Sequence, residues 1–274
     1  MFEPKLRYRN EILKHMKIIP DNFIDFLYWI KERTETYWSQ DPKTTDKDFV
    51  CSNWIYGAKW IGLTDTEIKQ VEERYGIRFT PEHKAFLKIL HTIDRKEKVY
   101  PDPDIEEGVF EEKPFFFNWL HDDGEISRAF KWPFEQILAD IMRKPPRRAY
   151  WTSKWGPLPQ KESDKEAFFI QWFKNAPKLM PVRGHCFQVC DLSYIDRPIL
   201  SIWGSDIIIY GMNFREYLLA SLSNDLDVYR YTYDEEDETF YPEFKPEFDE
   251  YFNVDTRSRK RIENIPYWRD IVEL

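Results

Sequence analysis

Glycine and cysteine are both scarce in this chain, and each shortage removes a set of chemistries. Only 9 of 274 residues are glycine, and no G-x-G-x-x-G or P-loop run is present to cradle a phosphate. H-E-x-x-H and G-x-S-x-G are missing as well, so neither a zincin helix nor a nucleophile elbow is expected. The three cysteines, Cys51, Cys186 and Cys190, are too few and too unevenly spaced for a disulfide framework, which fits a reducing compartment. Long apolar runs are also lacking. Ile207-Ile208-Ile209 falls far short of a bilayer span, and the charged start MFEPKLRYRNEILKHMK has no apolar h-region. A cytoplasmic location with no membrane partner is the expectation. Nor is there a basic excess: 40 Lys and Arg stand against 49 Asp and Glu, net charge -9. That balance argues against nucleic-acid binding and suits a soluble acidic protein that meets a basic partner.

Aromatic residues are abundant instead, with 11 Trp, 16 Tyr and 21 Phe, enough large side chains to fill a sizeable core. Asp21 or Asn22 can cap a first helix whose Phe23, Phe26, Leu27 and Ile30 fall on one face. The polar run SQDPKTTDKD (39–48) follows and reads as a linker, making residues 1–50 an N-terminal helical extension of a domain over 51–274. Thr64-Asp65-Thr66-Glu67 is a capping box, Gly76 can close its helix in a left-handed turn, and Thr80-Pro81 opens the next. These two helices form an α-hairpin. An acidic, proline-bearing loop is expected over 101–114, and FFFNWL (115–120) as a strand or buried turn. Asp123 is placed as the cap of a further helix that Trp132-Pro133 breaks and restarts. RKPPRR (143–148) then ends it in a basic loop.

The second half changes character. A helix is expected around 166–175, then short β-prone runs LMPV, HCFQVC, PILSIW and DIIIYG, then a helix opened by Asn213. Helices, a meander of strands and a helix point to an α+β fold with a twisted, mainly antiparallel sheet. Within it, Gly204-Ser205 suits a two-residue hairpin turn. Gly204 would supply the positive φ of a type II′ turn, and the Asp206 carboxylate would bond turn amides. Asp206 is therefore read as structural rather than catalytic.

No residue group carries a clear chemical signature. His185, Cys186 and Cys190 match no standard zinc spacing and read as core residues. Asp122-Asp123 with Glu125 reads as a helix N-terminus before a metal cluster. His83, His91 and His121 show no nucleophile partner. Trp132, Trp151, Trp155, Trp172 and Trp203 read as packing before a carbohydrate or base-stacking surface. No catalytic residue, cofactor site or metal site is assigned.

The ordered set of these motifs resembles a known family. WIGLTDTEIKQVEERYGIRFTPEHKAFLKIL is similar to the N-terminal signature of the SUKH superfamily, the family of fungal Smi/Knr cell-wall regulators and many bacterial immunity proteins. APKLMPVRGHCFQVC and RPILSIWGSDIIIYGMNFREYLLASL resemble its second signature. FNWL, Trp132-Pro133 and Trp155-Gly156 fall between the two, and IPYW follows. The likeness spans roughly Trp54 to Trp268, with a core over about 54–222 and a C-terminal extension over 223–274. It departs at His91-Thr92-Ile93, where many relatives have an Asn-Gly turn. The resemblance implies an α-hairpin before a sheet flanked by helices, and a non-catalytic protein-binding role, commonly neutralising a nuclease toxin. A regulatory scaffold of the fungal type is the alternative, and an enzyme with an unrecognised site is the second. Partner identity, binding face and oligomeric state stay open.

Outside the resemblance lies YDEEDETFYPEFKPEFDEYF (233–252), with nine acidic residues from Asp234 to Glu250 against one lysine. It reads either as a solvated acidic loop or as a binding segment. In the second reading Asp234, Glu235, Glu236, Asp237 and Glu238 attract a basic partner, and Phe240, Tyr241 and Phe244 anchor it.

Overall fold

The computed structural model describes residues 18–45, 50–99, 111–252 and 262–272. The charged N-terminal run, residues 46–48 of the predicted linker and residues 101–110 of the predicted acidic loop lie outside this set. The fold mixes helices with small antiparallel sheets. Helix α1 (Phe23–Trp38) starts where the Asn22 side chain accepts the Ile24 and Asp25 amides at 2.9 and 3.2 Å, which satisfies two N–H groups with no intrahelical partner. Its Phe26, Leu27, Ile30 and Trp38 are fully buried and belong to the same core as the buried residues of the later described elements. Within the segment expected to be an N-terminal extension, residues 23–38 thus pack into that core.

A short strand β1 (Trp60–Ile61) leads to α2 (Asp65–Tyr75) and α3 (Pro81–Ile89). The Thr64 hydroxyl accepts the Glu67 amide while the Glu67 carboxylate accepts the Thr64 amide at 2.8 Å, so the capping box is complete. Gly76 ends α2 at φ +62°, and Thr80 caps α3 ahead of Pro81. The turn after α3 holds His91 at φ +45°, a conformation that Asn or Gly enters at lower cost. It leads into β2 (Thr92–Ile93), paired with β1. Strands β3 (Glu97–Val99) and β4 (Glu111–Lys113) also pair, so the end of the predicted acidic loop is strand. Phe115, Phe116, Phe117 and Trp119 then form a buried turn.

Helix α4 (Asp123–Ile141) runs through Pro133 without interruption, against the expected break. The reason is packing: Ile126, Ala129, Pro133, Ile137 and Ile141 all face the core. That continuous stripe offsets the one ladder bond a proline cannot donate. The cap is Asp122 rather than Asp123. After α5 (Glu162–Asn175) comes the central sheet, a meander of β5 (Leu179–Arg183), β6 (Cys186–Val189), β7 (Ile199–Trp203) and β8 (Asp206–Gly211), close to the predicted runs. Helix α6 (Phe214–Leu222) follows, capped by Asn213.

The β7–β8 turn is the predicted two-residue loop, since Trp203 pairs with Asp206. Gly204 has φ +65°, and Ser205 is not among the residues of positive φ, which is the type II′ pattern. One part of the expectation is corrected. The carboxylate that bonds the turn is not that of Asp206, which is exposed. It is that of Asp140 in α4, whose Oδ2 accepts the Ser205 amide at 2.6 Å and the Ser205 hydroxyl at 2.7 Å. Asp206 points out of the sheet toward solvent, while buried Asp140 is held by the Arg143 guanidinium at 2.6 Å.

Behind the sheet sits a buried polar contact. Gln188 Oε1 of β6 accepts the Thr80 hydroxyl at 3.0 Å and lies 3.2 Å from His83 Nδ1, tying the α-hairpin to the sheet. Burial pushes His83 down to about 3 and His91 down to about 4, so both imidazoles are neutral; His91 Nε2 accepts the Trp119 amide at 2.9 Å.

Candidate protein-binding surface

The segment after α6 forms a two-stranded ribbon of β9 (Tyr229–Asp234) and β10 (Thr239–Phe244). Successive residues of a strand point to opposite faces, and directly paired residues share a face. Register therefore sorts the ribbon into two unlike surfaces. One carries the pairs Tyr229–Phe244, Tyr231–Pro242 and Tyr233–Phe240; the other carries Arg230–Glu243, Thr232–Tyr241 and Asp234–Thr239.

The first face is aromatic along its length. Near the base it closes inward: Tyr229 stacks on Phe244 at 4.7 Å, and Phe244 on Phe252 at 4.5 Å. Toward the tip it opens to solvent, with Tyr231, Tyr233 and Phe240 at 37%, 50% and 44% exposure. The second face is self-satisfied. Arg230 meets Glu243 at 2.8 Å, and the Tyr241 hydroxyl donates to Asp237 Oδ2 at 2.6 Å, which holds the phenol above its ordinary value.

The tip is the four-residue turn Glu235–Glu238. Asp234 Oδ1 accepts the Glu236 and Asp237 amides at 2.8 and 3.2 Å, an Asx-type closure, and Glu238 takes φ +51°. Over the whole ribbon six carboxylates stand against one guanidinium. At the base, Lys245 Nζ reaches the Asp227 carboxylate and carbonyl, both at 2.9 Å. Arg33 of α1 donates to the Leu226 and Asp227 carbonyls at 2.8 and 3.0 Å. Arg33 thus ties the base of the ribbon to α1, and Lys245 closes that base on itself.

The predicted binding residues divide accordingly. Asp234 to Glu238 do form one acidic tip, and Phe240 does lie on an exposed aromatic face. Tyr241 lies on the opposite face, engaged with Asp237, and Phe244 packs inward at the base. Tyr231 and Tyr233 take their places beside Phe240. The signal was present in YRYTYD and TFYPEF, whose aromatic and proline positions alternate with period two.

The other candidates resolve as packing. Asp122 accepts the Asn118 amide at 2.9 Å, and Asp123 meets Arg74 at 3.2 Å, both at the start of α4. Burial pushes the Cys186 and Cys190 thiols up to about 11 and about 12, which leaves them protonated and poor ligands or nucleophiles. Trp151, Trp155 and Trp172 pack with Phe168 and Phe169, whereas Trp203 stands 61% exposed. A cleft of about 450 Å³ between α4, α5 and β5 is lined by Phe130, Pro133, Phe173, Met180, Phe187 and Trp268, with Arg78 and Lys178. Among the described residues its lining includes no carboxylate or imidazole. Comparison of the chain with protein-family models, with curated proteins and with solved structures finds no match.

Proposed function

We propose that the protein is a non-catalytic binding module that holds a basic protein on the β9–β10 ribbon. The observation carrying this reading is the ribbon's asymmetry. Its polar face is cross-linked by the Arg230–Glu243 and Tyr241–Asp237 contacts, while its other face presents Tyr231, Tyr233 and Phe240, each 37–50% exposed, beside an acidic tip. Charge of one sign at the tip speeds encounter, and the desolvation of Tyr231, Tyr233 and Phe240 slows release. The basic groove of a nuclease is the surface such a tip matches. Together with the likeness to the SUKH superfamily, this favours an immunity role that occludes a nuclease toxin.

The test is capture from host lysate by three chains: the native one, one with residues 234–238 neutralised to Asn and Gln, and a Tyr233→Ser, Phe240→Ser double variant. The reading expects one basic protein held by the native chain and lost by both variants, with binding that weakens as salt rises. Equal retention by all three chains overturns it.

A further inference from the structure

The outer edge of β8 differs from every other strand edge in the described residues. An open edge is a row of unpaired N–H and C=O groups that can template a foreign strand, and proteins blunt such edges with proline or charge. That protection is visible elsewhere in this chain. β5, at the far side of the central sheet, carries Pro181 and Arg183. β10 carries Pro242 and Glu243, and β9 carries Arg230 and Asp234. β3 and β4 are mostly Glu and Lys, and β1 and β2 are two residues long. β8 reads DIIIYG, with six residues, no proline and a single charge at its first position. It ends the sheet order β5-β6-β7-β8, and among the described residues no backbone hydrogen bond from outside the sheet reaches 206–211. Ile208 and Tyr210 are 45% and 40% exposed along it, and Trp203 flanks them.

We propose that β8 is the seam of a homodimer, pairing antiparallel with β8 of a second copy to join two four-stranded sheets. The sequence of the edge favours its own copy as occupant. Pairing centred on Ile208 sets Ile208 against Ile208, Ile207 against Ile209 and Asp206 against Tyr210. Every pair is then apolar or joins a carboxylate to a phenol, and no like charges meet. A two-fold interface needs this self-complementarity. The partner differs from that of the acidic ribbon, and so does the salt dependence. Two copies of net charge -9 repel at long range while their contact is apolar, so added salt strengthens this association. It weakens a contact between the acidic tip and a basic protein.

The experiment is sedimentation equilibrium of the full chain from low micromolar concentration up to roughly 200 µM, at two salt concentrations. A modest strand-edge interface predicts a reversible dimer with a dissociation constant of about 10–100 µM, tightening with salt. Ile208→Lys sets two ammonium groups opposite each other and should raise that constant at least about tenfold. Ile208→Thr should keep the strand and weaken the dimer less. Amide exchange of the native chain gives a second readout: protection at 206–211 should rise with concentration while that at 179–183 stays constant. A native chain that remains monomeric overturns the proposal. So does a dimer untouched by Ile208→Lys, or protection that grows elsewhere than β8. Should Ile208→Lys fail to fold, the exchange result on the native chain decides.

Discussion

The chain contains two antiparallel hairpins built on opposite terms. The β7–β8 turn is two residues long and is gripped from outside by Asp140, which lies 65 residues away in sequence. The β9–β10 turn is four residues long and is closed by its own Asp234. The first hairpin buries Leu200, Ile202 and Ile207 in the core, whereas the second leaves most of its residues exposed on both faces. A lone two-stranded ribbon is marginal in water, so the second depends on the contacts of its base with Arg33 and Phe252. Tertiary grip makes one hairpin part of the scaffold. The other is held at its base, by Arg33.

Acid should separate the two regions most strongly. His83 and His91 are held near 3 and 4 in the folded chain against an ordinary value of 6.5. As pH falls below about 6.5 the unfolded chain takes up protons that the fold refuses. The stability these neutral imidazoles contribute is complete above that pH and is lost progressively toward pH 4. The loss should reach roughly 2–4 kcal/mol per histidine. Urea denaturation from pH 7 to 4 should show the midpoint falling, and a His83→Gln chain should show a shallower fall. A midpoint flat over that interval would refute the assignment of neutral, buried imidazoles.

Gly204→Val comes next. A β-branched residue is strained at φ +65°, and its Cβ would collide with the Asp140 carboxylate. The expected cost is roughly 3 kcal/mol, a Tm fall of roughly 6–12 °C for a chain of this size. Asp206→Asn, on the exposed side of the same turn, should move Tm by no more than about 2 °C. Equal effects from the two substitutions would contradict the turn geometry.

Asp140→Asn keeps the shape but removes the charge that holds Ser205 and Arg143, at a cost of about 2 kcal/mol. Calorimetry checks the value, and a double variant with Ser205→Ala should lose less than the sum. The smallest global effect is expected from Arg33→Met, below about 1 kcal/mol. Amides of 229–244 should nevertheless exchange at least about tenfold faster while those of the central sheet do not change. Unchanged exchange in the ribbon would mean that Arg33 does not seat it.

Elements held by local chemistry were legible in the sequence. The capping box at Thr64, the Thr80-Pro81 start and the Asn213 cap need only neighbours within four residues, and the strands of the central meander announce themselves by β-branched runs and turn residues. Decisions made over long range were not. Pro133 signals a break locally, yet the apolar stripe on both sides of it carries the helix through. Asp206 sits beside the turn, but the carboxylate that reaches it comes from another helix. Of the ribbon, the acidic tip was legible as composition. Its faces required a register, and the alternation in YRYTYD was outweighed by the charge that follows it.

The contacts of α1 also set a timetable for synthesis. Trp38 donates to Asp225 at 2.8 Å across 187 residues, and Arg33 to the Leu226 carbonyl across 193. At translation rates of about 5–20 residues per second, α1 emerges roughly ten to forty seconds before those partners exist. Through that interval Phe26, Leu27 and Ile30 have none of their final neighbours near residue 225. Until then α1 has only earlier-made elements such as α3 to pack against.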